Sequence, residues 1–519
     1  MKNSEEKVII LYTSDLHGAI TDDDLSPHEA GGLARLRTAI EDIRSKHDHV
    51  LLIDNGDLLQ GTPLAHQGFR EPVQVHPLIN LIQPCQFDLA VIGNHDLDYG
   101  REGLEQIIRD APMRFITANI LDTASGQPAF GPGFNIQTFG EITIAIIGLT
   151  STILKETATS DALDGLTVTE PAEAFVPVLT EVKQHNPDLI LVAYHGGVEK
   201  HPGTGQPYSA MPGENQGLLL LEIFPEIDAL LSGHQHLVMN ETHSSGQKII
   251  QPGYQGRFLG KITIEKSTDR SVDFHLTSEL IPVETHRPHA DTVREHQLLL
   301  QVNQKRLSAP VIRLTEPLQV TDPMEDVWLN KHPLIQNIHL ALQELTGAEV
   351  TTTPFLYNAP FTMKDQLTQE MIHTLYPYPN RVVVLSLSGM EIKAALEHGA
   401  SLFDKTASGI SISPAWSDPE PQSFHYEMWD GIDYDLDLSM TPGYRVTDVR
   451  YQGLPIAEHE RIRVATSSYR ASGAGGYTML HPDQIIQTYH ELIPDLLIRT
   501  WSGWDTFPTA VRQNWRILF

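Results

Sequence analysis

The first half of the chain alternates short apolar runs with amphipathic stretches. The runs VIILYT, HVLLIDNGD, FDLAVIGNHD, MRFITANI, ITIAIIGLT, DLILVAYHGG and IDALLSGHQH are bounded by polar or turn-forming residues. Short runs rich in Ile, Val and Leu predict buried strands. Between several of them, GGLARLRTAIEDIRSKH and AEAFVPVLTEVKQH carry apolar residues at helical spacing. That alternation predicts a layered α/β domain. QKIIQPGYQGRFLGKITIEK and SVDFHLTSELIPV read as hairpin-forming strands that complete it.

The pattern changes after residue 285. HRPHADTVREHQLLLQVNQKRLSAP reads as a loop and one polar helix, a connector over 286–310. A second domain occupies 311–519, with helical MEDVWLNKHPLIQNIHLALQELTG, the strand RVVVLSLS, the helix GMEIKAALEHGASLF and later strands. A chain of 519 residues is long enough for this two-domain division, 1–285 and 311–519.

The residues at the end of each apolar run carry the chemistry. VIILYT leads into Asp15 and His17, and LLIDNGD gives Asp54 and Asp57. AVIGNHDLD gives Asn94, His95 and Asp98. LVAYHGG gives His195, and LLSGHQH gives His234 and His236. In extended backbone, residues i and i+2 share a face, so Asp15 and His17 are expected to leave the first strand on one side. Open α/β sheets gather their ligand sites at the carboxyl ends of strands. Singly, each motif is no more than a capped turn or a solvated histidine. The ordered set D-x-H, G-D, G-N-H-[DE], H, G-H-x-H is specific.

Charge and cysteine usage narrow the picture. With 36 Lys+Arg against 66 Asp+Glu the formal net charge is -30. Such a surface opposes polymeric nucleic acid and anionic membranes. An anionic substrate then needs a local positive site, which bound metal ions can supply. The one cysteine, Cys85, excludes an intrachain disulfide and a thiolate cluster, and reads as a buried core thiol. No apolar run is long enough to span a bilayer. MKNSEEK has no signal-peptide apolar region, so the expectation is cytoplasmic if Met1 is the native start, and secreted or cell-surface if a leader was removed. His47, His49, His66, His76, His201, His243, His286 and His289 are expected at the surface.

The ordered set resembles that of the calcineurin-like metallophosphoesterases. The whole chain is similar to their 5′-nucleotidase/2′,3′-cyclic-nucleotide 2′-phosphodiesterase branch, through ANILDTASGQP, ENQGLLLLEIFPEIDALLSGHQH, PGYQGRFLGKI, YPYPNRVVVLSLSGMEIKAAL, DGIDYDLDLS and RVATSSYRASGAGGY. The resemblance implies an N-terminal four-layer metallophosphoesterase sandwich and a C-terminal 5′-nucleotidase-type α/β substrate-binding domain. It implies two divalent ions, one on Asp15, His17, Asp57 and His236, the other on Asp57, Asn94, His195 and His234, with Asp57 shared. Mn, Zn, Fe, Co and Mg all suit these N/O donors. Water activated between the ions attacks phosphorus in line. His95 would stabilise the transition state or protonate the leaving oxygen, with Asp98 fixing its tautomer. Asp54 would support its loop by hydrogen bonding.

In the second domain the resemblance puts Tyr378 and Tyr469 on either side of a nucleobase, with Ser472 and Gly473 shaping the loop around Tyr469. Stacking of this kind tolerates any base. The family's arginine-bearing stretch corresponds here to TTTPFLYNAPFTMKD, which has no arginine. Its Asn358, Ala359, Pro360 and Phe361 are closer to the G-A-P-F of the cyclic-nucleotide phosphodiesterase/3′-nucleotidase group, making Asn358 and Pro360 substrate-binding candidates. The expected activity is hydrolysis of 2′,3′-cyclic nucleotides and 3′-nucleotides, with domain closure about 286–310. The alternatives are a 5′-nucleotidase or nucleotide-sugar hydrolase with the same core, and a non-catalytic nucleotide-binding protein.

Overall fold

A computed structural model describes residues 7–519 apart from 26–28, 71–74, 159–161, 209–212, 267–273, 358, 379, 407–408 and 418–421. The chain forms two compact units, Met1–Val302 and Asn303–Phe519, and the division falls inside the helix Ala290–Leu307.

The first unit is built on two six-stranded sheets. One runs in the order Phe274–Pro282, Phe258–Lys266, Lys7–Thr13, His49–Asp54, Leu89–Ala90, Arg114–Phe115. The other runs Val238–Thr242, Lys248–Pro252, Ala229–Ser232, Leu189–His195, Ile142–Thr150, Phe134–Phe139. The central strands of both are parallel, as α/β crossovers require.

Side-chain alternation explains the four layers. Val8, Ile10 and Tyr12 face inward and pack with Ile144, Leu191 and Leu231 of the second sheet. Ile9 and Leu11 face outward onto Leu36 and Ile40 of the helix Leu33–Arg44. On the far side, Ile147, Val192 and Leu230 pack against Phe175 and Leu179 of the helix Pro171–Val182. Strands apolar on both faces therefore sit at the centre of an α/β/β/α sandwich, which is the N-terminal architecture expected from the sequence.

Several local expectations change. The strand expected over FDLAVIGNHD is only Leu89–Ala90, because the chain turns into the Asn94–His95 loop. QKIIQPGYQGRFLGKITIEK is not a hairpin. Lys248–Pro252 lies in one sheet and Phe258–Lys266 in the other. The link between them crosses the sandwich using three left-handed positions, Gly253 (φ 74), Gln255 (φ 53) and Gly256 (φ 65). Phe258–Lys266 instead pairs antiparallel with Phe274–Pro282. His66 and His76 are buried, at 5% and 1% exposure, not at the surface. His76 caps the helix Pro77–Ile82 by accepting from the Leu78 N–H.

The second unit carries a five-stranded sheet in the order Glu427–Asp430, Val350–Pro354, Arg461–Ser467, Arg381–Ser388, Ile485–Leu492. The helices Pro333–Thr346, Gly389–Ala400 and Ile493–Ser502 share its apolar core. The helix expected from Met324 onward divides into Met324–Leu329 and Pro333–Thr346. Pro333 cannot donate within a helix, and the His332 side chain starts a new one by accepting from Leu334 N–H.

Beneath Tyr469 lies a buried ion pair. Arg470 Nε donates to Glu427 Oε1 at 2.6 Å, both side chains being 1% exposed. Arg470 also donates to the carbonyls of His425 and Ala474. Removing one partner strands a buried charge, so Arg470→Ala is expected to destabilise the protein by about 3–5 kcal/mol. Replacing both residues by apolar ones of matched size is expected to cost clearly less, measured by denaturant unfolding of both variants.

Candidate metal centre and active site

The expected ligand residues come together at the carboxyl ends of strands from both sheets of the first unit. Asp15 and His17 follow Lys7–Thr13, Asp57 follows His49–Asp54, Asn94 follows Leu89–Ala90, His195 ends Leu189–His195, and His234 and His236 follow Ala229–Ser232. Among the described residues two groups converge within ligand distance, Asp15 with His17 and His236, and Asp15 with Asp57 and His195. His17 Nε2 is 3.1 Å from His236 Nε2, and His195 Nε2 is 3.2 Å from both Asp57 Oδ2 and Asn94 Oδ1. Asp57 Oδ2 also stands 3.9 Å from His17 Nε2, placing it between the two histidines. The ring of His234 is 5.7 Å from that of His195.

Strand parity does not align Asp15 with His17. The first strand stops at Thr13, and both residues lie in the turn beyond it with left-handed backbone, φ 55 and 51. Asp57, His234 and His236 share that conformation, at φ 54, 70 and 60. Five of the ten described non-glycine residues with positive φ are thus candidate ligands. Each costs on the order of 1–3 kcal/mol and persists only where the surroundings enforce it.

Those surroundings are hydrogen bonds between loops. Asp15 N–H donates to Gly56 carbonyl and His17 N–H to Asp57 carbonyl, at 3.0 and 2.9 Å. Gln255 N–H, on the link between the sheets, donates to Asp15 carbonyl at 2.7 Å. His234 N–H donates to the Asp15 carboxylate. Asp96 accepts from the N–H groups of Gly93, Asp57 and Leu58, tying two ligand loops together. Asp54, in the supporting place expected for it, accepts from Gly56 N–H and the Thr13 hydroxyl.

The donor set fits a cation. His17 Nδ1 sits 3.0 Å from Gln60 carbonyl and His195 Nδ1 2.6 Å from Asn55 carbonyl. A carbonyl only accepts, so each Nδ1 carries a proton and each Nε2 is the nitrogen turned inward. Those nitrogens meet the carboxylates of Asp15 and Asp57, which are 0% and 1% exposed. Neither carboxylate has a lysine or arginine partner among the described residues. Buried carboxylates and inward-facing imidazole nitrogens converging without a lysine or arginine are what a hard or borderline divalent cation requires.

The same geometry sets the protonation equilibria. Burial works against charge on His195, but Asp57 and Asp15 outweigh it and hold the imidazole up at about 10. His195 and His95 in turn keep Asp57 well below the usual carboxylate range, despite its burial. His236 is pulled down to about 3, chiefly by desolvation, which together with the neighbouring His17 and His234 outweighs Asp15. Its ring stacks on Tyr254 at 4.6 Å, and the Arg257 guanidinium also lies over the Tyr254 ring, at 4.7 Å.

His95 stands beside the cluster, its ring 5.7 Å from His17. Its N–H donates to Asp57 Oδ1 at 2.8 Å and its Nδ1 lies 2.7 Å from Asp98 Oδ2. Burial opposes protonation, but Asp98 and Asp57 dominate and raise the imidazole to about 9.

In the second unit, Tyr378 and Tyr469 are both half-buried. Tyr469 stacks on His425, at 5.9 Å and 14°. Ser472 is 5% exposed and its hydroxyl donates to Tyr469 carbonyl at 2.7 Å, while Gly473 takes φ 87. Pro360 is exposed, and Asn358 lies outside the described residues.

Sequence reasoning assigns no role to Asp96, Gln60, Glu214 or Tyr254. Asp96 is the acid closing G-N-H-[DE], a signal in plain view. Glu214, whose carboxylate meets His234, and Tyr254 lie in segments that carry the family resemblance, but nothing in their spacing distinguishes them.

Comparisons with known proteins agree with this architecture. The calcineurin-like phosphoesterase family matches residues 9–238, and the 5′-nucleotidase C-terminal domain matches residues 315–482. The trifunctional nucleotide phosphoesterase protein YfkN of Bacillus subtilis is 25% identical over 552 aligned residues, covering 92% of this chain and 36% of that protein. A 2′,3′-cyclic-nucleotide 2′-phosphodiesterase/3′-nucleotidase of Yersinia enterocolitica is 24% identical, covering 89% of this chain and 80% of that protein. The solved structure of a putative 5′-nucleotidase from Staphylococcus aureus superimposes with a TM-score of 0.89 at 28% identity, covering 99% of this chain and 100% of that one. The fold is that of a metallophosphoesterase. The chain belongs to the branch of that family that carries a 5′-nucleotidase C-terminal domain, and it is a metal-dependent phosphoric ester hydrolase. Among its described residues no helix is long and apolar enough to cross a membrane.

Protons and cations compete for this centre. His195 holds its proton up to about 10, against 6.5 for an ordinary histidine. Without metal, that proton stabilises the fold fully below pH 6.5 and ceases to as pH rises through about 10. A cation on Nε2 must displace it. Apparent cation affinity is therefore expected to rise by up to about tenfold per pH unit between neutrality and pH 9. Competition with a fluorescent chelator at several pH values measures the slope, and a flat response would contradict this reading of His195.

Proposed function

We propose that the protein hydrolyses 2′,3′-cyclic nucleotides at the 2′ oxygen and then 3′-nucleotides. Two divalent ions would be held by Asp15, His17, Asp57 and His236, and by Asp57, Asn94, His195 and His234. When bound, such ions polarise the phosphoryl oxygens and render a water acidic enough to act as nucleophile.

The observation that carries the chemistry is the His95–Asp98 pair beside the converging ligands, 2.7 Å from Nδ1 to Oδ2. Opening a cyclic diester or cleaving a 3′-monoester expels a ribose alkoxide, which needs a proton. Asp98 fixes the ring and, by its charge and hydrogen bond, favours the protonated imidazole. With Nδ1 held, the proton delivered to the leaving oxygen is the one on Nε2. Asp57 orients the same loop by accepting the His95 N–H. On the second unit, Tyr469, backed by His425, would offer an aromatic face to the nucleobase, with Tyr378 as its counterpart.

The substrate class rests on relatives. The Yersinia enterocolitica protein aligned along nine-tenths of this chain is named for cyclic-nucleotide and 3′-nucleotide cleavage. The second reading, a 5′-nucleotidase with the same core, is favoured by the Staphylococcus aureus structure, itself named a putative 5′-nucleotidase.

Phosphate release from 2′,3′-cyclic AMP, 3′-AMP and 5′-AMP, after chelation and after Mn²⁺ addition, separates the two. Metal-restored turnover of the first two, with little on 5′-AMP, is expected. Dominant 5′-AMP cleavage would replace this reading with the second. His95→Ala is expected to lower kcat by about 10²–10⁴-fold with unchanged metal content. Asp98→Asn is expected to lower it less and to move the alkaline limb of the pH–rate profile to lower pH, because the charge that favours the imidazolium is gone. Full turnover by His95→Ala would remove the histidine from the mechanism.

A further inference from the structure

We propose that Glu214 is a positioning residue that fixes His234 for metal binding, holding its Nε2 so that Nδ1 is the atom turned to the cation. The proposal rests on the metal-centre reading above. Glu214 Oε1 lies 2.8 Å from His234 Nε2. A carboxylate accepts, so Nε2 carries the proton and Nδ1 the lone pair.

This inverts the arrangement at His17 and His195, whose Nδ1 atoms rest on backbone carbonyls and whose Nε2 atoms face inward. The inversion goes with the partners available to the ring. His234 sits at φ 70 with its N–H held by the Asp15 carboxylate, so its main chain is tied to the cluster on one side. Its ring packs edge-on to His195 at 5.7 Å. The far nitrogen then points to the loop that carries Glu214.

That loop is itself anchored. The Glu214 carbonyl accepts from Ser151 Oγ at 2.6 Å and Tyr194 Oη at 3.4 Å, and Asn215 Oδ1 accepts from Gly197 N–H at 2.8 Å. Tyr194 immediately precedes His195, so the strand that presents one ligand also steadies the support of another. A carboxylate on the remote nitrogen orients a ligating imidazole and raises its basicity more than a neutral carbonyl does. The Glu214 side chain is 19% exposed and its backbone contacts survive replacement, so variants keep the fold.

Metal-free wild type, Glu214→Gln and Glu214→Ala are to be titrated with Co²⁺ alone, following stoichiometry by calorimetry and the ligand-field absorption. Unfolding midpoints of the metal-free proteins serve as the fold control. Wild type is expected to take up two ions. Glu214→Ala is expected to bind one ion as wild type does and the other about 10–100-fold more weakly. Glu214→Gln, still able to accept from Nε2–H, is expected to fall between, with a wild-type-like spectrum. Unchanged affinities and absorption in Glu214→Ala would overturn the proposal. So would a Glu214→Gln variant as weak as Glu214→Ala with an altered spectrum, which would make Glu214 itself a ligand. Uptake of a single ion by wild type would overturn the two-cation reading, and the proposal with it.

Discussion

Two carboxylates and three imidazoles converge in a space almost closed to water, with no lysine or arginine among the described residues to answer the carboxylates' charge. Asp15 and Asp57 are buried, His195 is buried with them, and His17 is 9% exposed. Everything around the centre serves that concentration of like-natured donors. Turns, not strands, present most of the candidate ligands, and five of those turn positions hold left-handed backbone without the freedom of glycine. The strain is sustained because each turn is bonded to another. The Asp15 loop is held by the Gly56–Asp57 loop and by Gln255, and the Asp57 loop is held by Asp96. The two-sheet sandwich is the rigid frame on which loops distant in sequence can enforce one another.

This explains which parts were legible in the sequence. Apolar runs betray buried strands, because a strand covered on both faces must be apolar throughout. The residues after each run were readable as an ordered set, since ligand chemistry admits few residue types. The route by which they converge was not readable. Nothing in S-D-L-H announces left-handed backbone at Asp15 and His17, because the turn is imposed by partners forty and more residues away. The link Gly253–Arg257 looks like a hairpin turn, and only the opposing sheet draws it across the sandwich. His76 looks like a surface histidine until a neighbouring helix start needs a cap. Glu214 lies twenty residues before His234, and no periodicity joins them. In each case a contact distant along the chain, or a local capping need, overrides a plausible reading of the pattern.

The second unit obeys the same logic with different interactions. Tyr469 is carried on a short helix, Ser468–Ala471, too brief to hold itself. Beneath it Arg470 commits its guanidinium to Glu427 and to two carbonyls, and its Cζ lies 4.3 Å from the Tyr477 ring centroid. His425 completes the support by stacking on Tyr469. A buried charge pair is a costly but directional way of fixing so short a helix. The sequence RVATSSYRASGAGGY displays the tyrosine openly. The structure shows its arginine buried against Glu427.

The electrostatics of the metal centre are uneven, and the unevenness has a structural origin. The His195 side faces Asp57 and Asp15 together and holds a proton tightly, at about 10. The His17–His236 side packs imidazole against imidazole, and desolvation takes His236 down to about 3. One half of the centre therefore presents a neutral lone pair at any physiological pH, and the other presents a proton that must leave. A cation entering the first half meets no competitor at His236. Its charge would then oppose the proton on His195 across the Asp57 carboxylate, which stands 3.9 Å from His17 Nε2 and 3.2 Å from His195 Nε2. Asp57 would thus couple the two halves, its charge divided between the His195 proton and a cation on the His17 side. The same carboxylate also orients His95 through its backbone N–H. A single side chain, held in a left-handed turn, links metal loading to the placement of the group that would donate the proton.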